Sequence, residues 1–513
     1  MSDPLQGDPQ DRDGADMPTA SHAHVHGHGN QDEHDTHDNH DTQDTRDDHD
    51  DGDRQTLSGY AERIEALAEQ FGLDYYPVDF EVVPNNFMTE ISVYGLPVRM
   101  PHWSFGVRYI HQLIRQGMGH SRIFEVMFPG DPCHAYLVRD NSVAENTLVV
   151  AHVIGHADFA KNNQLFARFM AMAGGHILEQ AAERAHVIEL ALAEHGQERV
   201  EAILDAALAL EPHVDINQPL HRAPFPAQPV QDHAHAADDG SFAHRFHQLP
   251  GEAAPAPRSG RKPLPAIPPR PERDLLWFIA NYAPELEGWE RDIFLAVREE
   301  SFYFYPVFAC QIMNEGWASY WHARLLREAD FLPSDLYVSA IKAHSDVVRP
   351  FAADNQLSLS INPYHLGFSI WEDIIDREGV DKARQICRDE DDFGFIRNYL
   401  TQELAEKLDL FVYEADHEGG IRIADKDIHA IREAILAPKF NYGAPRVAVS
   451  AMHIDGSLEL VQDYRDDGRG LDIPRAERVL DYISRVWRRP VSLQTVGSSG
   501  NPRVVSSKPA VKL

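Results

Sequence analysis

Three cysteines in 513 residues, Cys133, Cys310 and Cys387, are too few and too scattered for a disulfide framework, and none forms a Cys-x-x-Cys metal knuckle. That scarcity fits a reducing compartment, so a cytoplasmic protein is expected. No apolar run approaches the roughly 18 residues of a membrane span, and the N-terminus has no apolar segment behind a basic start. Positive charge is also short: 47 Lys and Arg stand against 81 Asp and Glu, a formal charge of -34. Nucleic acid and anionic membrane surfaces both reward a basic face, which argues against broad binding to either and leaves only locally basic sites. Histidine, by contrast, is plentiful at 29 residues, and the length suits two or three domains.

Residues 1–55 hold 16 acidic, 3 basic and 8 histidine residues with almost no large apolar side chain. Burial there cannot offset chain entropy, so a disordered His/Asp-rich tail is expected, its metal affinity incidental to a solvated acidic segment. From Leu57 the pattern is that of an amphipathic helix, with Ile64, Leu67, Ala68 and Phe71 at helical spacing. Residues 56–216 form the first part of the core. Extended pieces are expected at 80–83 and 91–94, a strand at 122–128, a helix over 146–168, and helical character over 166–210 with a break near Gly196. Residues 217–271 carry 12 of the 33 prolines and read as a linker or insertion. Residues 272–405 return to helix and complete the core. Over 406–498 the order is strand (410–413), helix (426–436), a hairpin (446–452 and 458–464, turning at Asp455-Gly456), helix (474–486) and strand (491–496). That order predicts a βαββαβ, ferredoxin-like domain, followed by a tail at 499–513. The expected class is α+β and mainly helical.

The chemistry centres on Ala151-His152-Val153-Ile154-Gly155-His156. On a helix, residues four apart are neighbours, so His152 and His156 share a face and are placed to share one metal ion. The H-E-x-x-H zinc sites use this geometry, with the Glu after the first His as general base. Here that position is Val153. The pair therefore points to a metal site more than to a peptidase, although either ring could equally be a hydrogen-bonded core residue. Gly155 costs a helix interior about 1 kcal/mol relative to alanine, so close packing or a nearby ligand would give it a reason to be there. Asn162 and Asn163 suit a helix cap.

Two histidines need a further ligand, and a carboxylate on a second helix is a common third. Glu315, in Asn314-Glu315-Gly316-Trp317, is the candidate. Ser319 and His322 fall on its face, but seven residues rise about 10 Å along a helix, so His322 is assigned to a nearby polar or catalytic role rather than to the same ion. A base to replace the missing Glu is sought in Glu300, with Glu299 and Asp158 also weighed. His186 and Glu189, three apart, read as a charged helix surface.

Four stretches in this order, His152-Val153-Ile154-Gly155-His156-Ala157-Asp158-Phe159 with Lys161-Asn162-Asn163, Asn314 to His322, Asn362-Pro363-Tyr364-His365-Leu366-Gly367, and Asp391-Asp392-Phe393 with Arg397-Asn398-Tyr399-Leu400, resemble the SpoVR family, the stage V sporulation protein R family of bacteria. The likeness covers residues 57–496; the acidic tail and the Pro-rich insertion depart from the family core. The resemblance implies a bacterial cytoplasmic protein linked to the spore cortex, or to a stress response in bacteria that do not sporulate. There its partners would be a PrkA-type serine kinase and a von Willebrand A-like protein. His152, His156 and Glu315 also resemble the ligand set of gluzincin metallopeptidases, which implies a zincin-like core and a divalent cofactor, zinc first. Two functions are thus expected in competition: a metal-dependent hydrolase, or a non-catalytic adaptor or regulator of the kinase module.

Overall fold

The computed structural model describes residues 41–95, 99, 102–117, 125–173, 176–225, 266–349, 362–415, 421–464, 470–497 and 500–507. Contacts divide the chain into two units, Met1–Asp53 and Arg54–Leu513, and the second holds the sheets, the apolar core and the candidate site. The expected disordered tail lies outside the described residues as far as residue 40, whereas residues 41–55 are helical, continuous with the amphipathic helix that follows; the Pro-rich insertion lies outside over 226–265.

Helix α1 (Asp41–Gln70) buries Ile64 and Ala68, the face its spacing predicted. Strand β1 (Val78–Val83) follows, then helix α2 (Asn85–Tyr94). An extended piece was expected at 91–94; those residues are instead the last turn of α2. Ile91 and Val93 favour strands, but Met88 and Ile91 are buried on one helical face, and Gly95 closes the helix at φ 76°. After α3 (Trp103–Gly117), β2 (Glu125–Phe128) and β3 (Cys133–Val138) complete a three-stranded sheet. Its order is β1-β3-β2, with β3 parallel to β1 and antiparallel to β2.

Helix α4 (Val143–Asn162) begins in a capping box, Ser142 with Glu145. Leu148, Val149, Val150, Val153, Ile154, Ala157 and Phe159 clothe it on every side, so it is buried all round. Asn163 ends it and starts α5 (Gln164–Ala173). Its side-chain oxygen accepts from Leu165 and Phe166 N–H (3.0 and 3.2 Å), while its amide donates to the carbonyls of Cys387 and Glu390 (2.7 and 2.9 Å). All four hydrogen bonds of a fully buried amide are made. Asn163→Ala would leave two N–H groups and two carbonyls without partners, at about 1–3 kcal/mol for each that finds no water. A urea midpoint reporting a loss of at least about 2 kcal/mol is the expected outcome; a loss near zero would contradict the capping role.

Helices α6 (Ile177–His195) and α7 (Gln197–Ala209) meet at Gly196, as the sequence indicated. The second part of the core is a run of helices: α8 (Leu275–Tyr282), α9 (Gly288–Ala309), α10 (Gln311–Arg327), α11 (Ser334–Val347), α12 (Pro363–Glu378), α13 (Val380–Asp389), α14 (Asp392–Tyr399) and α15 (Gln402–Lys407). Then come β4 (Val412–Ala415), β5 (Ile421–Asp425), α16 (Ile428–Leu436), β6 (Val447–Met452), β7 (Leu458–Gln462), α17 (Ile473–Trp487), β8 (Val491–Val496) and β9 (Pro502–Ser506).

The elements expected for the C-terminal region form, but their pairing is not ferredoxin-like. The first strand, β4, pairs with β5 in a separate two-stranded sheet. The larger sheet runs β6-β7-β8-β9, with α17 as the crossover between parallel β7 and β8. Its fourth place goes to β9, from the segment expected to be a tail, where Val505 is buried. This sheet does not enclose a core of its own: Leu458, Leu460, Trp487 and Leu493 share one apolar cluster with Leu204 of α7, Phe278 of α8 and Phe294 of α9. A second cluster gathers α4, α10, α12, α13 and α14 around Trp317, Trp321, Trp371 and Phe395. The candidate site lies among those helices. No described helix is long and apolar enough to cross a membrane.

Candidate metal centre

Because α4 is buried on all sides, each polar side chain it carries needs a partner or a purpose. Asp158 has partners: it accepts from Trp317 Nε1 and from the Asp74 N–H, both at 2.8 Å, and burial pushes its carboxyl up to about 6. That aspartate ties α4 to α10 and to the segment after α1. It is a structural group, and Lys161 and Asn162 support the same junction through Asp74.

The helices around it approach to backbone contact at glycines. A Cβ on Gly155 would lie 2.7 Å from Ala318 Cα of α10. A Cβ on Gly316 would lie 2.5 Å from Gly367 Cα of α12, and one on Gly367 would press into the Ile312 carbonyl oxygen. The glycines of three sequence motifs thus serve one purpose: they let α4, α10 and α12 cross closely enough for their polar side chains to converge. The first turn of α10 is fixed by Asp392, which accepts from the N–H groups of Ile312 and Met313 at 2.9 Å each and pairs with the buried Lys439 at 2.8 Å. Glu315 stands just beyond that turn.

His152, His156 and Glu315 come together. His152 Nε2 is 3.6 Å and His156 Nε2 3.5 Å from Glu315 Oε2. A fourth group joins them from the sheet: Glu125, first residue of β2, places Oε1 3.8 Å from His152 Nε2. Ligand atoms of Glu125, His152 and His156 all lie within 4.8 Å of one another. His156 Nδ1–H donates to Asn314 Oδ1 at 2.9 Å, which turns its Nε2 toward the carboxylates. Tyr364, at the start of α12, is stacked on His152 with ring centroids 6.0 Å apart and lies close to the Glu315 charge.

The electrostatics of the cluster follow from burial and from its own charges. Burial pushes the His152 imidazole down to about 4, and His156 beside it adds to the shift. Burial would lower His156 too, but the Glu315 carboxylate beside it outweighs this and raises it. Burial alone would raise Glu315, yet the two imidazoles hold it at about 2. Burial pushes Glu125 up to about 7, His156 offsetting only part of it and Glu315 adding to it. The Glu315 charge drives the Tyr364 phenol well above its ordinary value, so it stays neutral.

The donor set fits a divalent ion. His152 Nε2 and Glu315 Oε2 are both buried without a hydrogen-bond partner, although they face each other. At 3.6 Å they are too far apart to bond one another. Two ligands each about 2.0–2.2 Å from a tetrahedral ion stand roughly 3.3–3.6 Å apart. Two imidazoles and two carboxylates, with no thiolate, are a borderline-to-hard set of the kind that takes zinc, iron or manganese.

The remaining sequence-derived candidates lie elsewhere. Glu300, taken as the substitute base, sits fully buried on α9, with Arg99 Nε at 2.7 Å and Arg184 Nε at 4.0 Å. Its charged neighbours are these arginines, Glu211 and Glu299, and no imidazole is among them. Burial raises this carboxyl against the pull of the two arginines, but it belongs to that ion-pair group and not to the histidine cluster. His322 stands behind His152: its Nδ1 is 2.8 Å from His152 Nδ1, on the ring edge opposite the carboxylates. His186 and Glu189 form an exposed pair on α6 at 3.8 Å. Glu125, Asn314, His344 and Tyr364 received no role from the sequence. A lone carboxylate in the apolar strand Glu125–Phe128 was the available signal for the first of them.

The profile of the family described as SpoVR like protein matches residues 51–443. The chain is also 27% identical, over 488 residues, to the Escherichia coli (strain K12) protein named Uncharacterized protein YcgB, a match covering 88% of this chain and 94% of that relative. No solved structure matches it. The four motifs that build the crossing helices, and a profile match spanning most of the chain, place it in the SpoVR family.

Proposed function

We propose that the chain is a metal-dependent hydrolase that holds one divalent ion, zinc first, through His152, His156 and Glu315. The observation that carries this reading is the buried pair His152 Nε2 and Glu315 Oε2, spaced for a shared ion and otherwise without partners. The bound ion would polarise a substrate oxygen or lower the pKa of a water molecule. Glu125 takes the role that Val153 leaves open. Its carboxyl faces the same point from β2, and a group held at about 7 is matched to accepting a proton near neutral pH. Tyr364, neutral beside Glu315, is placed to donate a hydrogen bond to an oxygen on the substrate. The family resemblance supplies the setting, the spore cortex or a stress response, alongside a PrkA-type kinase and a von Willebrand A-like protein.

The test uses the full-length chain with the eight histidines of residues 1–55 replaced by asparagine, which removes loose binding by the tail. After zinc loading and dialysis, elemental analysis should find about one ion per chain, and His156→Ala should reduce this at least tenfold, as expected for loss of a ligand. Glu125→Gln should keep the ion while Glu315→Gln loses it, which separates base from ligand. A parent protein that retains no ion sinks the proposal.

A further inference from the structure

We propose that His322 and His344 are positioning residues for this centre: with His152 they form a directed chain of hydrogen bonds that commits His152 to present Nε2 to the ion. The inference rests on the metal-binding reading above and goes beyond it by assigning two residues that touch neither ion nor substrate.

The chain is continuous. His152 Nδ1 is 2.8 Å from His322 Nδ1, and His322 Nε2 is 2.6 Å from His344 Nδ1. His322 is fully buried, and the titratable groups that bear on it are His152, His344 and His156. A buried imidazole in such surroundings stays neutral and carries a single N–H. Only two arrangements then satisfy both contacts.

In the outward arrangement, His152 Nδ1–H donates to His322 Nδ1, and His322 Nε2–H donates to His344 Nδ1. His152 Nε2 is left with its lone pair toward Glu315. In the inward arrangement every donor is reversed, His152 carries its proton on Nε2, and that nitrogen cannot ligate. The choice is therefore made at the far end, by which nitrogen of His344 holds the proton.

His344, on α11, is half-buried and lines a cleft of about 490 Å³ bounded by α11, α12 and α15. Burial and the nearby Arg327 lower the His344 imidazole, so it too stays neutral. Only a His344 that keeps Nδ1 free to accept is compatible with the outward arrangement, the one that frees His152 for the ion. His156 reaches the same tautomer by a shorter route, through Asn314 Oδ1. Both ligating rings are thus set by an acceptor behind them, a device that commonly sustains metal affinity.

The experiment measures zinc affinity by competition with a chromophoric chelator, in the full-length chain with its tail histidines replaced by asparagine. His344→Leu, which cannot accept a hydrogen bond, should weaken binding 10- to 100-fold. His344→Asn, whose Oδ1 can stand where Nδ1 stands, should stay within about threefold of the parent, a small part of the range expected for second-shell changes. A structural role alone would lower affinity and unfolding midpoint together in both variants; the proposal expects the midpoints to match while the affinities split. Equal affinity for the parent and His344→Leu overturns the proposal and leaves the metal site standing, as does an Asn variant as weak as the Leu variant. A parent that binds no zinc removes the metal reading and this inference with it.

Discussion

Alanine in place of Gly367 should destabilise the protein by about 3 kcal/mol or more, the upper end of what an overpacked core costs. A Cβ at that position would meet the Ile312 carbonyl oxygen and lie 2.9 Å from Gly316 Cα. Both are backbone atoms of α10, so no side chain can rotate away to make room. The strain is relieved only by moving α12 off α10, which would open the contact between Trp371 and Trp317, now at 4.9 Å between ring centroids. Tyr364 would leave Glu315 at the same time. Chemical denaturation should show the loss, and zinc retention should fall with it. Glycine-to-alanine at Gly196, where nothing lies within 4 Å of the added Cβ, is the control for the space argument, although its φ of 82° adds some backbone strain of its own. A Gly367→Ala protein within about 1 kcal/mol of the parent would show that the crossing can yield and that the close backbone contact is not rigid.

The second large effect is expected at Asp392. Its carboxylate holds the two N–H groups that open α10 and is the ion-pair partner of Lys439, which is itself buried. Asp392→Ala removes the cap and leaves the ammonium group against the Phe308 carbonyl and ring without its counter-charge. Breaking a buried pair in this way costs about 3–5 kcal/mol. Because the uncompensated charge is the larger part, adding Lys439→Met should recover more than half of the loss, and a double-mutant cycle by urea unfolding would measure it. No recovery would mean that the cap, not the charge, dominates.

The meeting of His152, His156 and Glu315 was legible because local spacing carries it. A spacing of four from His152 to His156 put both rings on one face, and a good helical pattern around Glu315 made it available. What brings those helices together was written in the same motifs, but as glycines, and a glycine in a sequence does not name the backbone it will touch. Glu125 and His344 reach the centre from a strand and a separate helix, with no periodicity linking them to His152. Glu300 misled for the converse reason: it is 15 residues from Glu315, yet Cys310 breaks the chain between α9 and α10 and sends its carboxylate to Arg99. In the C-terminal region the order of strands and helices was readable, whereas which strand pairs with which is a matter of long-range contact. There β4 took its sequence neighbour as partner, and β9 filled the vacated edge.

The groups that make the centre sit far apart along the polypeptide: Glu125, His152 and His156 precede Glu315 and Tyr364 by roughly 160 residues or more. At bacterial synthesis rates of roughly 5–20 residues per second, the imidazoles leave the ribosome about 10–30 s before the carboxylate that completes their site. During that interval the nascent segment offers only a partial, weak claim on any cation it meets. If the proposed ion is bound, its loading would await the closure of α10 and α12 over α4, because no earlier stretch of the chain carries the whole cluster.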